Sequence, residues 1–282
     1  MTERTSLVDI IQEHLASEQL HLPVFPPLAL QLQQMLAQDN VNMHQVAAKM
    51  AEDPALVSHL LRVANSAFFA GLSKVSTIKD AILRLGSRQV TSLIMLVTQQ
   101  QHYRTGDKFL GPYLDSLWKH AASCAMGSKW LAERLGYRSM AQEAFLAGLL
   151  HDIGKLFLLK VLENIHASGK YNLNLSKSVV SEVLESMHAQ QGAQLLQQWN
   201  LPDLYCEIVR AHHQDAYDAS NAILTMVRLV NIACHKLGIG MQHDPAVVLA
   251  ATAEAQTLET PELLLAELEI MLEDAMELAS CS

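Results

Sequence analysis

His120, the doublet His151-Asp152, His188 and the pair His212-His213 each stand beside apolar residues in helix-forming sequence. Neutral imidazole is a ligand for zinc, iron, nickel or manganese, and a carboxylate offsets the charge of such an ion and can bridge two of them. Side chains of these types converging from several helices are what a divalent metal site in the core of a bundle requires. The chemistry that would follow is attack on phosphate esters or amidines, because a bound metal lowers the pKa of water from ~15.7 to roughly 7. Lys155, one turn beyond His151, is the cation nearest the doublet and is placed to reach a phosphate oxygen.

A bland reading competes at every one of these positions. A single histidine on an apolar face is more often a hydrogen-bonded core residue than a ligand, and His14, His44, His59, His102, His166 and His235 are read that way. His243-Asp244 repeats the doublet, yet Asp244-Pro245 reads as an N-cap followed by a first-turn proline. His188 shares a helix face with Gly192, Leu195, Leu196 and Trp199, and His212 follows Leu204 and Ile208 by eight and four residues, so both point inward. Spacing alone leaves the metal and core readings open.

The elements that must carry these residues are helical nearly throughout. Leu7, Ile10, Ile11, His14 and Leu15 form an amphipathic stripe, which HLPVFPP (His21–Pro27) breaks because proline lacks an N–H and restricts its predecessor. Asp53-Pro54 opens a further helix, Ser76 or Thr77 caps the next, Gly86 ends it, and Ser87 starts another running through Thr98. RTGDKFLGP, residues 104–112, is the clearest interior break. Helices follow near 113–135, 140–163, 180–199, 202–213, 219–237, 245–256 and 261–279. Strand-type alternation and fixed-period repeats are absent, so the expected fold is all-α, a multi-helix bundle. Residues 1–105 and 106–282 read as a smaller N-terminal helical lobe and a larger C-terminal lobe, with one continuous helical domain as the alternative.

Composition narrows the class. Of 282 residues, 50% are hydrophobic and 17% charged, enough to bury a sizeable core and incompatible with disorder. No run approaches the ~20 apolar residues of a membrane span, MTERTSLVDI shows no secretory h-region, and the four cysteines have no CxxC spacing. A cytoplasmic protein without membrane association is expected. The net charge of −9 is carried by the C-terminal end, since no Lys or Arg follows Lys236 while nine acidic residues do. The segment VNMHQVAAKMAEDPALVSHLLRVANSAF resembles a helix-turn-helix, but residues 1–100 hold seven basic against eight acidic residues. That balance argues against nucleic acid. The acidic helix PELLLAELEIMLEDAMELA has Leu264, Leu268, Met271 and Leu272 on one side, and its minority reading is a partner-docking or homodimer-closing element.

Taken in order, several blocks resemble the HDOD domain, a relative of the HD superfamily of metal-dependent phosphohydrolases found in bacterial signalling proteins. They are LPVFPPLALQLQQML, AEDPALVSHLLRVANSAFF, STIKDAILRLGSRQVTSLIM, LWKH, FLAGLLHDIGKL, HAQQGAQLLQQWNLP and a closing HH. The resemblance implies an HD-superfamily-like C-terminal lobe packed with the N-terminal one. It makes His120 the first superfamily ligand, His151-Asp152 the defining doublet and Lys155 the lysine of the HDxGK form. His188, His212 and His213 match the additional histidines of the HD-GYP branch. Two departures stand out. Cys234, in VNIACHKLG, sits where the superfamily has a late aspartate; a thiolate there could ligate a soft metal but cannot bridge as a carboxylate. No GYP signature follows the closing HH.

The resemblance therefore implies a signalling or regulatory module acting through a protein partner, with one or two divalent ions (Fe, Mn, Zn or Ni) or none, held by His120, His151, Asp152, His188, His212 and His213. The alternative is a metal-dependent phosphohydrolase acting on a phosphorylated small molecule or nucleotide, with Lys155 and Asp152 in catalytic roles.

Overall fold

The computed structural model describes residues 43–51, 53–66, 74–169 and 175–280, with the single positions 11, 31 and 35. The stripe from Leu7 to Leu15 (apart from Ile11, which is buried), the break over His21–Pro27, most of the LPVFPPLALQLQQML block and the end of ANSAFF lie outside the described residues.

Among the described residues every regular element is helical. Four helices come first: α1 (Met43–Met50), α2 (Pro54–Ala64), α3 (Ile78–Leu85) and α4 (Ser87–Gln100). After the break at 104–110 follow α5 (Gly111–Arg134), α6 (Ala141–Leu150), α7 (Ile153–Ser168), α8 (Lys177–Gln198), α9 (Asp203–Ala211), α10 (Ala222–Leu237), α11 (Ala253–Thr257) and α12 (Glu262–Ser280). None is long and apolar enough to cross a membrane.

The helix starts follow local chemistry. Asp53 Oδ1 accepts from Leu56 N–H at 3.0 Å, so α2 opens on Pro54 with its end satisfied. Thr77 and Asp80 form a reciprocal capping box at the start of α3. The stretch expected as one helix over 140–163 is broken at His151-Asp152 into α6 and α7. The expected helix over 245–256 is absent. Asp244 Oδ1 instead accepts from Ala246 N–H in a turn, and Thr252, in extended conformation, caps the short α11 through a bond from Ala255 N–H. Asp244-Pro245 therefore makes a turn rather than a helix start.

Helix α5 is the hub. It packs against α6, α10 and α12, and small buried residues line it (Ala121, Ala122, Ser123, Ala125, Gly127, Ser128), which lets neighbours approach on several sides. Trp118 Nε1–H donates to the Ala279 carbonyl at 3.3 Å and ties α12 to α5. The buried Lys129 donates to Gln89 Oε1 at 2.7 Å and Ser92 Oγ at 3.0 Å, linking α5 to α4.

Two glycines set the spacing around the chemistry-bearing residues. A Cβ on Gly148 would lie 2.4 Å from the Cys124 carbonyl oxygen, so α6 touches α5 backbone to backbone. A Cβ on Gly154 would lie 1.9 Å from the His188 carbonyl oxygen and 2.8 Å from Gly192 N, so α7 and α8 are in the same close contact. Gly154→Ala should lower the unfolding free energy by about 3 kcal/mol or more in urea denaturation, because the obstacle is main chain that cannot rotate away. Gly106→Ala, where a Cβ meets nothing within 4 Å, should change it by about 0.5 kcal/mol or less.

Candidate metal centre

The close helix contacts bring five residues to one buried place. His120 lies mid-way along α5, His151 and Asp152 occupy the break between α6 and α7, His188 is on the inner side of α8, and His212 directly follows α9. None of the five is more than 3% exposed.

The main chain decides which ring nitrogen each histidine offers. His120 Nδ1 lies 2.9 Å from the Ile239 carbonyl, His151 Nδ1 2.8 Å from that of Gly148, His188 Nδ1 2.6 Å from that of Leu184, and His212 Nδ1 2.8 Å from that of Val209. A carbonyl only accepts, so each Nδ1 carries the proton and donates. In the neutral imidazole this leaves a bare lone pair on every Nε2.

Those lone pairs face one another. His120 Nε2 is 3.2 Å from His151 Nε2, and His188 Nε2 is 3.3 Å from His212 Nε2. Asp152 stands between the pairs. Its Oδ2 is 3.5 Å from Nε2 of His120 and of His151, and its Oδ1 is 3.5 Å from His188 Nε2 and 3.4 Å from His212 Nε2. Oδ1 is buried with no hydrogen-bond partner. Acceptors crowded against acceptors in a buried site are repulsive, and a cation between them removes the conflict. The spacing fits: two nitrogens 3.2–3.3 Å apart, each ~2.1 Å from one ion, subtend about 100° at it.

The charges agree. Burial alone would push the Asp152 carboxyl up, but the Lys155 ammonium and the His151 ring outweigh it and hold the group well below the usual carboxylate range. Lys155 Nζ lies 2.7 Å from Asp152 Oδ2; its ammonium is thus bound to the carboxylate. Burial holds the His151 imidazole well below its ordinary value and His188 down at about 4, which keeps both neutral. At His120 burial also acts downward, but the Cys124 sulfur and Asp152 overcome it and raise the ring to about 9. That corner draws positive charge.

Two groups of ligand atoms share Asp152. His120, His151 and Asp152 make one; Asp152, His188, His212 and His213 make the other; within each, the atoms lie within 4.8 Å of one another. The residues can therefore hold one or two ions. His213 is the exposed member, its ring 4.1 Å from that of His212. The turn bearing His212 and His213 is gripped by Arg228 of α10. Its Nη1 donates to the carbonyls of Ala211, His212 and Gln214 at 3.3, 2.9 and 2.8 Å, while its Nε is paired with Glu254 Oε1 at 2.8 Å.

The structure adds residues that the sequence reading set aside. The ring of His235, read there as ordinary core, stacks on that of His120 at 5.6 Å and 14° and lines the cavity leading to the cluster. Its position in the last turn of α10 carries no local signal of this. Cys124 also lies against His120, and so does Cys234, which the sequence already offers as a ligand for a soft metal. Nothing in the sequence sets Arg228 or Glu254 apart from other charged residues.

The family model of the HDOD domain matches residues 22–215. A protein of Treponema pallidum (strain Nichols), described only as uncharacterized, is 28% identical over 200 residues; the match takes in 68% of this chain and 37% of the relative's length. The crystal structure of an HDOD domain protein with unknown function from Geobacter sulfurreducens superposes with a TM-score of 0.75 at 22% identity, covering 96% of both chains. A Shewanella amazonensis SB2B protein, described as a candidate metal-dependent phosphohydrolase, superposes with a TM-score of 0.66 at 17% identity over 95% of this chain and 97% of its own. At these identities the structural likeness establishes the fold.

The neutral buried imidazoles make a pH prediction. A histidine whose folded pKa lies below its unfolded value costs stability once the pH drops below the unfolded value of about 6.5. His151 and His188 are of this kind. His120, raised instead, adds stability at low pH and loses it only as the pH climbs from 6.5 through about 9. Chelator-treated protein should therefore melt at progressively lower temperature from pH 6.5 down to pH 4, and His188→Gln should flatten that slope in calorimetry.

Proposed function

The chain belongs to the HDOD family, and on that premise we propose that it is a regulatory module of bacterial signalling, acting through a protein partner, whose buried His–Asp cluster holds a divalent metal as an internal brace. His120, His151, Asp152, His188, His212 and His213 would be the ligands. When bound, the ion supplies the positive charge that the facing lone pairs require, and Lewis acidity where water reaches it. The chain's residues do the rest. The four Nδ1–H donors fix each ring's direction, Lys155 balances Asp152, and Arg228 holds the His212 turn. The ion would thereby tie α5, the α6–α7 junction, α8 and the end of α9 together.

The observation that carries a bracing and regulatory role is the size and lining of the way in. The cavity reaching His120 and Asp152 is about 50 Å³ and is walled by Ser181, Glu185, His235 and Gln242. Small-molecule sites usually run to roughly 300–1,000 Å³. Lys155, on the same wall, is engaged by Asp152, and Glu185 would repel a phosphate.

A second reading, metal-dependent phosphohydrolysis of a phosphorylated small molecule or nucleotide, is favoured by the set of convergent histidines and by the description of the Shewanella structure. In it Lys155 would have to leave Asp152 to steady charge on the phosphoryl oxygens, with Asp152 beside it.

Elemental analysis of protein purified without an affinity tag should find a transition metal. Chelation should lower the melting temperature by several degrees, and the metal-loaded protein should turn over neither nucleotides nor cyclic dinucleotides. Hydrolysis that disappears in a His151→Ala, Asp152→Ala variant would establish the second reading instead. Absence of metal even after reconstitution would end the role of the cluster as a brace.

A further inference from the structure

We propose that the loop Gly238–Asp244 is the gate of the metal centre: closed, it aims His120 at the ion, and by opening it lets the ion in and out. The proposal rests on reading the His–Asp cluster as a metal centre and adds how access to that centre is controlled.

Three of the four ligand histidines are oriented from within their own helical turn. Gly148 stands three residues before His151, Leu184 four before His188 and Val209 three before His212. Each of those carbonyls moves with the ring it holds. His120 is the exception, because its Nδ1–H donates to Ile239, 119 positions away and in the loop that follows α10. The direction of the His120 ring therefore depends on where that loop lies.

The loop is anchored near both ends and untied between them. Ile239 N–H donates to the Cys234 carbonyl at 2.8 Å and Asp244 N–H to the His235 carbonyl at 2.9 Å, both in the last turn of α10. Among the described residues nothing accepts from the N–H groups of Gly240, Met241, Gln242 or His243. Backbone without internal bonds opens at low cost. Gly240 allows the close approach to His120: its φ is 124°, and a Cβ there would come within 3.0 Å of His120 Nδ1. The Ile239 carbonyl and the unbonded Gly240 N–H belong to one rigid peptide plane. Movement of residues 240–243 thus turns the acceptor away from the ring.

What the loop covers is the way in. The cavity reaching His120 and Asp152 has Met241 and Gln242 on the loop side and Ser181 and Glu185 of α8 on the other. His120 is 3% and Asp152 2% exposed, so an ion bound for them has to pass a wall that yields. The remaining walls belong to the helices α5, α7, α8 and α10. Met241 is 39% exposed, so this part of the loop can move outward into solvent without crossing the core. The Glu185 carboxylate at the mouth draws a cation towards it.

The test uses the full chain, with zinc as the probe. Uptake by chelator-stripped protein and release to a chromogenic chelator are followed by stopped flow, and circular dichroism checks that each variant folds. The double variant Met241→Ala, Gln242→Ala thins the loop wall and should speed uptake and release by the same factor, severalfold, leaving Kd unchanged. Ser181→Tyr narrows the mouth from α8 and should slow both. Gly240→Ala pushes the loop off His120 and should weaken zinc binding about tenfold or more, the usual cost of disturbing the partner of a metal-bound histidine. In the unaltered protein, zinc should slow hydrogen exchange at the anchoring amides of Ile239 and Asp244. Uptake and release rates unmoved in both the double variant and Ser181→Tyr, or release that speeds only as Kd rises, would overturn the gate and leave the His–Asp reading standing. Anchoring amides that exchange alike with and without bound zinc would do the same. Protein that binds no zinc at all would overturn the reading and the gate with it.

Discussion

Five ligand groups pressed together in one buried space are the constraint on which this structure turns. The Nε2 atoms of four histidines and the Asp152 carboxylate converge there, each Nδ1–H being spent on a backbone carbonyl. Lys155 satisfies one carboxylate oxygen and leaves the other without a donor. Such a group is unfavourable on its own and favourable around a cation. The same arrangement that strains the empty cluster gives it selectivity for a charged occupant.

The surrounding architecture serves this arrangement. Gly148 and Gly154 let α6 lie on α5 and α7 on α8 at backbone contact, which is what brings Asp152 within reach of imidazoles from three other directions. The Arg228–Glu254 pair, with Glu254 buried and Arg228 partly so, holds the end of α9 from the side of α10. A charge-assisted clamp on three carbonyls is a stiffer tether than a loop of the same length would be.

The acidic C-terminal end is better integrated than its composition suggests. Helix α12 buries Leu264, Leu268, Met271 and Leu272, and two of its carboxylates are paired, Glu267 with Arg134 of α5 and Glu269 with Lys236 of α10. Its apolar side is thus taken by α5, while Leu263 and Ile270 remain exposed on the other.

The all-α fold and the caps at Asp53 and Thr77 were legible in the sequence, because helix periodicity and end-capping depend on residues within a turn or two of one another. The residue types for metal chemistry were legible for the same reason, and the family followed from their order. The helix over 245–256 was misjudged because a side chain at Thr252, rather than the Asp-Pro pair, captures the free N–H groups. What only the tertiary structure decided is which groups meet: that Lys155 is bound to Asp152, that His235 stacks on His120, and that Cys124 and Cys234, 110 positions apart, touch. Those meetings depend on interhelical distances set by main-chain contacts between glycines and remote carbonyls, and no local pattern encodes a distance of that kind.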